Sequence, residues 1–277
     1  MTGFDEGRDH WVQRLGMPRN AVRQEIIARQ LAVHLAERVG ESSPGTYSLE
    51  VLDVGAGQGT QAIGLAQLGH RVTAVEPDPA MRAILDEGLA GQDESTRRRV
   101  AVRDGTLGAL ADALGDAAYD VVLCHGVFMY LPAAQPAVTE LAARVAPGGL
   151  LSLVVRNAAG LALRPALQGQ WALLHDVLDE VEAARAEGRD PFYTNEIGVR
   201  ARADDVTTLT EVCRAAGLTF VAHHGVRLVS DRAALDTAPP GAEEVAAQVA
   251  AELRLGDLDP YRQLATLAHL AFRRPSR

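Results

Sequence analysis

The feature that most constrains this chain is an apolar strand that runs directly into a turn with three alternating glycines. The segment reads LEVLDVGAGQGT over residues 49–60. A tight strand-to-helix turn needs backbone angles that a Cβ atom penalises, and glycine also lets a ligand lie directly against the main chain. Such a turn opens the strand–helix–strand unit of doubly wound α/β proteins, and it predicts a bound nucleoside.

A carboxylate on the next strand supports the same prediction. The apolar run VTAV ends in Glu76, which lies 21 residues after Gly55. A carboxylate at this spacing can accept hydrogen bonds from the two hydroxyls of a ribose. The two features together predict a nucleoside-binding crevice at the ends of the first two strands.

The position of the third glycine separates two cofactor classes. A dinucleotide fingerprint has Gly-x-Gly-x-x-Gly, whose last glycine lets the helix pack closely on the strand. Here that position is Thr60, and the third glycine comes one residue early, at Gly59. The order Asp53-x-Gly55-x-Gly57-x-Gly59 resembles the first motif of class I S-adenosylmethionine-dependent methyltransferases. A nicotinamide or flavin cofactor, and a glycine turn without any ligand, stay open as alternatives at this point.

Strands and helices alternate along the first half of the chain, which predicts an α/β fold with a Rossmann-like sheet, mostly parallel with the last strand antiparallel. After the strand that begins at Leu49, the predicted strands are Arg71–Glu76, Val100–Val102, Tyr119–Cys124 and Leu150–Val155. Ligands of open α/β sheets bind beyond the C-terminal strand ends. The polar residues expected to meet in that crevice are Asp53, Glu76, Asp104, His125 and Arg156.

Segments outside this core are predicted to form a helical cap and a helical insert. An amphipathic helix over Pro18–Val39 covers the sheet from the N-terminal side. After the fifth strand, we predict one helix over Pro165–Ala186 and a loop over 190–195. The apolar stripe of that helix is expected to belong to the core; its members are Leu167, Trp171, Leu174 and Leu178.

The C-terminal part is predicted to complete the sheet. Strands over Leu218–Val229 and Leu264–Arg273 form an antiparallel pair, separated by a helix over Glu243–Leu253. We therefore predict a single domain over residues 1–277. Its parts are the cap (1–48), the cofactor-binding core (49–156), the substrate-side insert (157–202) and the sheet-completing part (203–277).

Charge and composition exclude some classes of protein. A net charge of −9 argues against an indiscriminate binder of polyanions. The chain shows neither a long apolar run nor a charged-then-apolar leader, so we predict a cytoplasmic protein without a membrane span. The two cysteines, Cys124 and Cys213, have no metal-ligand spacing, and no metal is expected.

A wider resemblance extends beyond the glycine turn. Short segments along nearly the whole chain resemble the bacterial tRNA 5-carboxymethoxyuridine methyltransferases. Besides the opening motif, these segments are Val22–Ile26, Leu68–His70, Cys124–Val127, Pro147–Leu153, Asn157–Leu161, Gly225–Arg227 and Asp259–Tyr261. The match is poor between Asp179 and Asp204, where an acceptor would be recognised.

The resemblance implies S-adenosylmethionine as cofactor and a role for particular residues. Arg23 is implied to bind the methionine carboxylate, and Glu76, where the family has aspartate, to bind the ribose. The other implied contacts are the backbone of Gly55 and Ala56, then Gly105 and Thr106 near the adenine, and His125. With Asp53, Gly57 and Asp104 of the crevice, these residues form the predicted cofactor site.

The implied reaction is transfer of a methyl group to an oxygen, here the carboxylate of 5-carboxymethoxyuridine in tRNA. A carboxylate is ionised at neutral pH and needs no general base, but it does need a positive clamp. Arginine forks hold carboxylates through two hydrogen bonds. The candidates for positioning the acceptor are Arg156, Arg200, Arg202 and Tyr193.

Alternatives remain for both the acceptor and the chemistry. The negative charge and the divergent insert favour a small-molecule O- or N-methyltransferase of secondary metabolism. For a hydroxyl or amine acceptor, His125 titrating near neutrality would serve as a general base; otherwise it contacts the cofactor or caps a turn. A third hypothesis is a partner protein that binds the cofactor without catalysis.

Overall fold

The computed structural model describes residues 18–40, 48–195, 197–230 and 241–276, so residues 1–17 and 41–47 of the predicted cap lie outside the described residues. The helices are α1 (Pro18–Gly40), α2 (Thr60–Gln67), α3 (Pro79–Ala90), α4 (Glu94–Arg97), α5 (Leu110–Leu114), α6 (Ala134–Arg144), α7 (Leu163–Leu167), α8 (Trp171–Glu187), α9 (Val206–Ala215) and α10 (Ala242–Gly256). The strands are β1 (Glu50–Val54), β2 (Arg71–Val75), β3 (Val100–Arg103), β4 (Tyr119–His125), β5 (Val145–Arg156), β6 (Phe192–Thr194), β7 (Arg200–Arg202), β8 (Thr219–Val226) and β9 (Leu267–Arg273).

Seven strands form one sheet in the order β3-β2-β1-β4-β5-β9-β8. The pairs from β3 to β5 are parallel, whereas β9 runs antiparallel to both β5 and β8. This confirms the predicted mostly parallel sheet whose last strand is antiparallel. Because β1 pairs with β2 on one side and β4 on the other, the strand order reverses at β1, which is where open α/β sheets bind ligands.

Apolar layers cover both faces of this sheet. Leu52 on β1 belongs to the layer beneath α6 and α9, whereas its neighbour Val51 belongs to the layer beneath α1, α2 and α3. Both residues are fully buried. The continuous apolar runs of the central strands thus reflect burial on both sides, as is typical of parallel sheets.

The helices of the insert differ from the single helix that the sequence predicted. The single helix predicted over Pro165–Ala186 is wrong, because Gly169 adopts a left-handed φ of 66° and separates α7 from α8. The apolar stripe is not core either: Leu167, Trp171 and Leu178 are 50%, 63% and 39% exposed. Helix α8 packs mainly against α7 and β6 rather than on the sheet, so most of its surface faces away from the core.

The predicted loop over 190–195 is also wrong, since part of it forms a hairpin. Phe192 pairs with Arg202 and Thr194 pairs with Arg200 in the antiparallel ladder of β6 and β7. The side chain of Asn195 closes the turn, where its Oδ1 accepts hydrogen bonds from the N–H groups of residues 197 and 199 at 3.1 and 3.0 Å. The hairpin brings aromatic and basic side chains to the edge of the crevice.

Within the described parts of the chain, no helix combines the length and the apolar character that a membrane crossing requires.

Candidate cofactor and acceptor site

Two adjoining cavities lie at the C-terminal ends of the parallel strands. The first, called here the glycine-turn cavity, has a volume of about 490 Å³. It lies between the turn over residues 53–61, the ends of β2 and β4, and helix α1. The second, the insert cavity, has a volume of about 610 Å³ and lies between α1, the end of β5 and the insert. The residues that line both are Arg23, Met129, Tyr130 and Leu267.

The glycine turn has no room for a side chain at Gly55. Gly55 has a φ of +73°, and a Cβ atom on it would lie 2.3 Å from Cγ2 of Val127. The N–H groups of Gly55 and Ala56 donate to the carbonyl of Val75 at 2.8 and 3.1 Å. A ligand contact from this pair of residues therefore comes from a carbonyl oxygen rather than an amide N–H.

Glu76, which directly follows β2, stabilises this turn through hydrogen bonds to its carboxylate. Its Oε2 accepts a hydrogen bond from the N–H of Gly57 at 2.8 Å, and its Oε1 accepts one from the N–H of Asp78 at 2.9 Å. Asp78 in turn caps α3, because its side chain accepts hydrogen bonds from the N–H groups of Ala80 and Met81. Burial raises the pKa of Glu76. The same carboxylate thus holds the loop and lines the glycine-turn cavity.

Asp53 places a second carboxyl group at this cavity. Its side chain is 3% exposed. Burial, and then the negative charge of Glu76, raise the pKa of Asp53 to about 7. A cation bound in the cavity would favour the ionised form of Asp53. The site is therefore suited to a ligand with positive charge.

His125 ends β4 beside these carboxyl groups. Its Nε2 lies 2.9 Å from Oγ of Ser152. Burial, assisted by the charge of Arg23, lowers the pKa of His125 to about 3, and burial raises the pKa of Tyr130 above its ordinary value. His125 is therefore a neutral imidazole, and the hypothesis that it titrates near neutrality as a general base is wrong.

Most of the predicted cofactor residues lie at one cavity. Those that line the glycine-turn cavity are Arg23, Asp53, Gly55, Ala56, Glu76, Gly105, Thr106 and His125. Gly57 does not line it and acts through its hydrogen bond to Glu76. Asp104 does not line it either: its side chain is 73% exposed and pairs with Arg82 at 2.9 Å.

The insert cavity is rich in arginine. Its basic lining residues are Arg23, Arg156, Arg164, Arg200 and Arg227, against the acidic Asp176 and Glu180. Aromatic rings of β6 hold two of these cations in place. The Arg156 Cζ lies 5.0 Å from the ring centre of Tyr193, and the Arg200 Cζ lies 4.2 Å from that of Phe192.

Arg202 does not take part in this arrangement. Its side chain is 2% exposed and pairs with Asp204 at 2.7 Å and with Asp190 at 3.4 Å. It lines neither cavity. The pairs connect the base of the hairpin to the segment that leads into α9, so Arg202 holds the hairpin in place and does not reach the acceptor cavity.

Two arginines of the insert cavity were not predicted from the sequence. Arg164 comes from α7, and Arg227 follows β8. Arg227 has a φ of +62°, a conformation that non-glycine residues adopt at a cost and that often marks a functional site. Its place in the segment 225–227, which carried part of the resemblance, is the sequence signal that could have identified it.

Parts of this chain are similar to known methyltransferases. Residues 52–153 match the family model described as a methyltransferase domain. The chain is 29% identical over 174 residues to the tRNA 5-carboxymethoxyuridine methyltransferase of Escherichia coli (strain K12), with 61% of each chain covered. It is 32% identical over 164 residues to the ubiquinone biosynthesis O-methyltransferase of Methylocella silvestris, with 56% of this chain and 61% of the relative covered. The chain thus spans about three fifths of the length of these relatives.

Solved structures share the fold at lower identity. The glycopeptide N-methyltransferase MtfA superposes with a TM-score of 0.54 at 16% identity, covering 90% of this chain and 94% of that one. The CcbJ methyltransferase from Streptomyces caelestis gives a TM-score of 0.55 at 16% identity, covering 91% of this chain and 95% of that one. MtfA has also been solved in complexes with S-adenosylmethionine and with S-adenosylhomocysteine.

Proposed function

We propose that this chain, which carries a class I S-adenosylmethionine-dependent methyltransferase domain, transfers a methyl group to a carboxylate oxygen of an anionic acceptor. The observation that carries the proposal is an arginine-lined cavity that adjoins the glycine-turn cavity and shares four lining residues with it. Donor and acceptor sites must meet for methyl transfer, and this shared border is where we expect them to do so.

The glycine-turn cavity fits the cofactor by the chemistry of its lining. S-adenosylmethionine, when bound, supplies a methyl group activated by the positive charge of its sulfonium. The buried carboxyl group of Asp53, with its raised pKa, suits a cationic ligand. Glu76 would bind the ribose, Arg23 the methionine carboxylate, and the backbone at Gly105 the adenine side.

The insert cavity supplies what a carboxylate acceptor requires. Arg156 and Arg200 would hold and neutralise the acceptor, while Tyr193 keeps Arg156 in position. The titratable side chains near the border do not favour base catalysis: burial lowers the pKa of His125 to about 3, which makes its imidazole a weak base, and the raised pKa of Tyr130 keeps its phenol protonated. An acceptor that is already ionised needs no such base.

The acceptor we propose is the carboxylate of 5-carboxymethoxyuridine in tRNA. Support comes from the similarity to the Escherichia coli enzyme that bears this name, and from a cavity whose five arginines suit an anionic group. This acceptor is proposed for the whole protein, and the similarity that supports it covers 61% of the Escherichia coli enzyme.

A small carboxylic acid is the second candidate acceptor, favoured by the charge of α8. This helix borders the insert cavity through Leu173, Asp176, Val177 and Glu180. Its acidic residues outnumber its single arginine, Arg185; they are Asp176, Asp179, Glu180, Glu182 and Glu187. Acidic side chains at the border of the site repel the phosphates of an RNA strand.

One assay separates these candidates. The purified chain and S-adenosylmethionine are incubated either with tRNA from a strain lacking the uridine methyl ester or with a panel of small carboxylic acids. Mass spectrometry then measures the methyl ester and S-adenosylhomocysteine. We expect the ester in tRNA; ester formation only with small acids would establish the second candidate. Cofactor binding without turnover on any acceptor would refute methyl transfer.

Variants of the insert cavity test the positive clamp. Arg156→Ala and Arg200→Ala should each lower kcat/KM for the acceptor about 10- to 100-fold, the usual effect of losing a charged hydrogen bond. The Kd of the cofactor should stay the same. Arg98→Ala is the matched control, since Arg98 is 72% exposed and pairs with Glu94 away from both cavities. An equal loss in all three variants would contradict the assigned role.

A further inference from the structure

A chain of buried polar side chains connects the glycine-turn cavity with helix α1. His125 Nε2 lies 2.9 Å from Ser152 Oγ, which lies 2.8 Å from His269 Nε2. His269 Nδ1 lies 2.9 Å from Gln30 Oε1. Gln30 Nε2 then donates to the backbone carbonyl of Gly225 at 3.1 Å. We call the three side chains of Ser152, His269 and Gln30 the relay.

The strand register explains why these side chains meet. His125 on β4 lies beside Val154 on β5, which lies opposite His269 on β9. Ser152 is two residues before Val154, so it shares the same face of the sheet. Helix α1 covers this face with Gln30. Ser152 and His269 are fully buried and Gln30 is 3% exposed, so water does not compete for these hydrogen bonds.

The backbone carbonyl at one end fixes the direction of the hydrogen bonds. A carbonyl can only accept, so the Gln30 amide nitrogen faces Gly225 and its amide oxygen accepts from His269 Nδ1–H. Burial and neighbouring imidazoles keep the pKa of His269 well below its ordinary value. His269 is therefore neutral, and its Nε2 carries a lone pair.

This lone pair fixes the positions of the protons on Ser152 and His125. The Ser152 hydroxyl must donate to His269 Nε2, so its oxygen accepts from His125 Nε2–H. We propose that the relay positions His125 as its Nε2–H tautomer, so that Nδ1 accepts a hydrogen bond from a donor group of the bound cofactor. This last step rests on the proposed function, whereas the tautomer does not.

Two further observations support this role. Nδ1 of His125 is buried and has no hydrogen-bond partner within the described residues, although His125 lines the glycine-turn cavity. A buried acceptor left without a donor is costly, and a ligand donor would remove that cost. Gln30 also lies two helical turns after Arg23 on α1. The relay therefore anchors the helix that carries the residue proposed for the methionine carboxylate.

The tautomer is directly measurable without cofactor or acceptor. Long-range proton–nitrogen NMR on ¹⁵N-histidine-labelled protein distinguishes the two neutral tautomers, with His125 assigned from the spectrum of His125→Gln. We expect Nε2–H for His125 in the wild type. An Nδ1–H tautomer or an imidazolium ring in the wild-type protein would overturn the proposal, whatever the variants do.

Variants then test the relay. Ser152→Ala should change the His125 tautomer signal and weaken cofactor binding, measured by calorimetry, about 5- to 30-fold. Ser152→Thr keeps the hydroxyl and should restore the Nε2–H signal. Ser230→Ala is the matched control, because it removes a buried hydroxyl outside the relay and should leave both readouts unchanged.

The outcomes separate this inference from the proposed function. A wild-type Nε2–H signal that persists in Ser152→Ala would refute the relay even if the enzyme is active. An Nε2–H signal that depends on Ser152, in a protein that binds no cofactor, would confirm the tautomer and refute both the cofactor contact and the proposed function.

Discussion

Replacing Asp53 by asparagine should stabilise the cofactor-free protein at alkaline pH. The folded structure raises the pKa of this carboxyl group from 3.8 to about 7. Between these two values the folded state binds a proton that the unfolded state has lost, so the free energy of unfolding falls as pH rises through this window. Asparagine cannot ionise, and the variant avoids that loss.

The size of the effect follows from the shift. A rise in pKa from 3.8 to about 7 corresponds to about 4 kcal/mol of destabilisation once the pH exceeds both values. The buried amide of asparagine would lack hydrogen-bond partners, which costs about 1–3 kcal/mol and offsets part of this gain in stability. The net gain of about 1–3 kcal/mol corresponds to a rise in Tm of about 2–6 °C at pH 9.

Thermal unfolding without cofactor, followed by circular dichroism between pH 4 and pH 9, measures this gain. The difference in Tm between variant and wild type should grow with pH across the window and be smallest at pH 4. Asp104→Asn is the matched control, since its carboxyl group also follows a parallel strand but is 73% exposed. A difference in Tm that is independent of pH, or a less stable variant at pH 9, would refute the reasoning.

The same change should weaken cofactor binding, because the ionised Asp53 is the form that attracts a cation; the wild-type Kd should improve as pH rises towards 8, and calorimetry should find a flat pH profile for Asp53→Asn. Gly55→Ala should lower Tm, since its Cβ would meet Val127 at 2.3 Å with φ at +73°, and a variant as stable as wild type would contradict that close contact. Arg202→Leu should destabilise the fold by about 3–5 kcal/mol by leaving the buried carboxyl group of Asp204 without its partner, measured by urea unfolding, whereas an unchanged midpoint would mean that the pair with Asp204 is dispensable. Burial raises the pKa of the Cys124 thiol well above its ordinary value, so alkylation followed by mass spectrometry should leave it unmodified in the folded protein at pH 8; rapid labelling would show that β4 opens.

The sequence by itself determined the features that depend on local backbone geometry and periodicity. The glycine turn, the carboxylate at Glu76 and the apolar strands predicted the sheet and one side of its ligand crevice. These inferences succeed because φ angles, side-chain alternation and the convergence of parallel strand ends follow from residue types and their spacing.

The tertiary structure alone decided which polar side chains reach the site. Arg200 and Arg202 share one face of β7 by alternation, yet only the docking of the hairpin places Arg200 at the cavity and buries Arg202 against Asp204. Trp171 and Leu178 of α8 are spaced like a core stripe but are exposed, because the helix packs beside the sheet rather than on it. The relay from Gln30 to His125 joins residues far apart in the chain, and their hydrogen bonds exist only once the strand register aligns them.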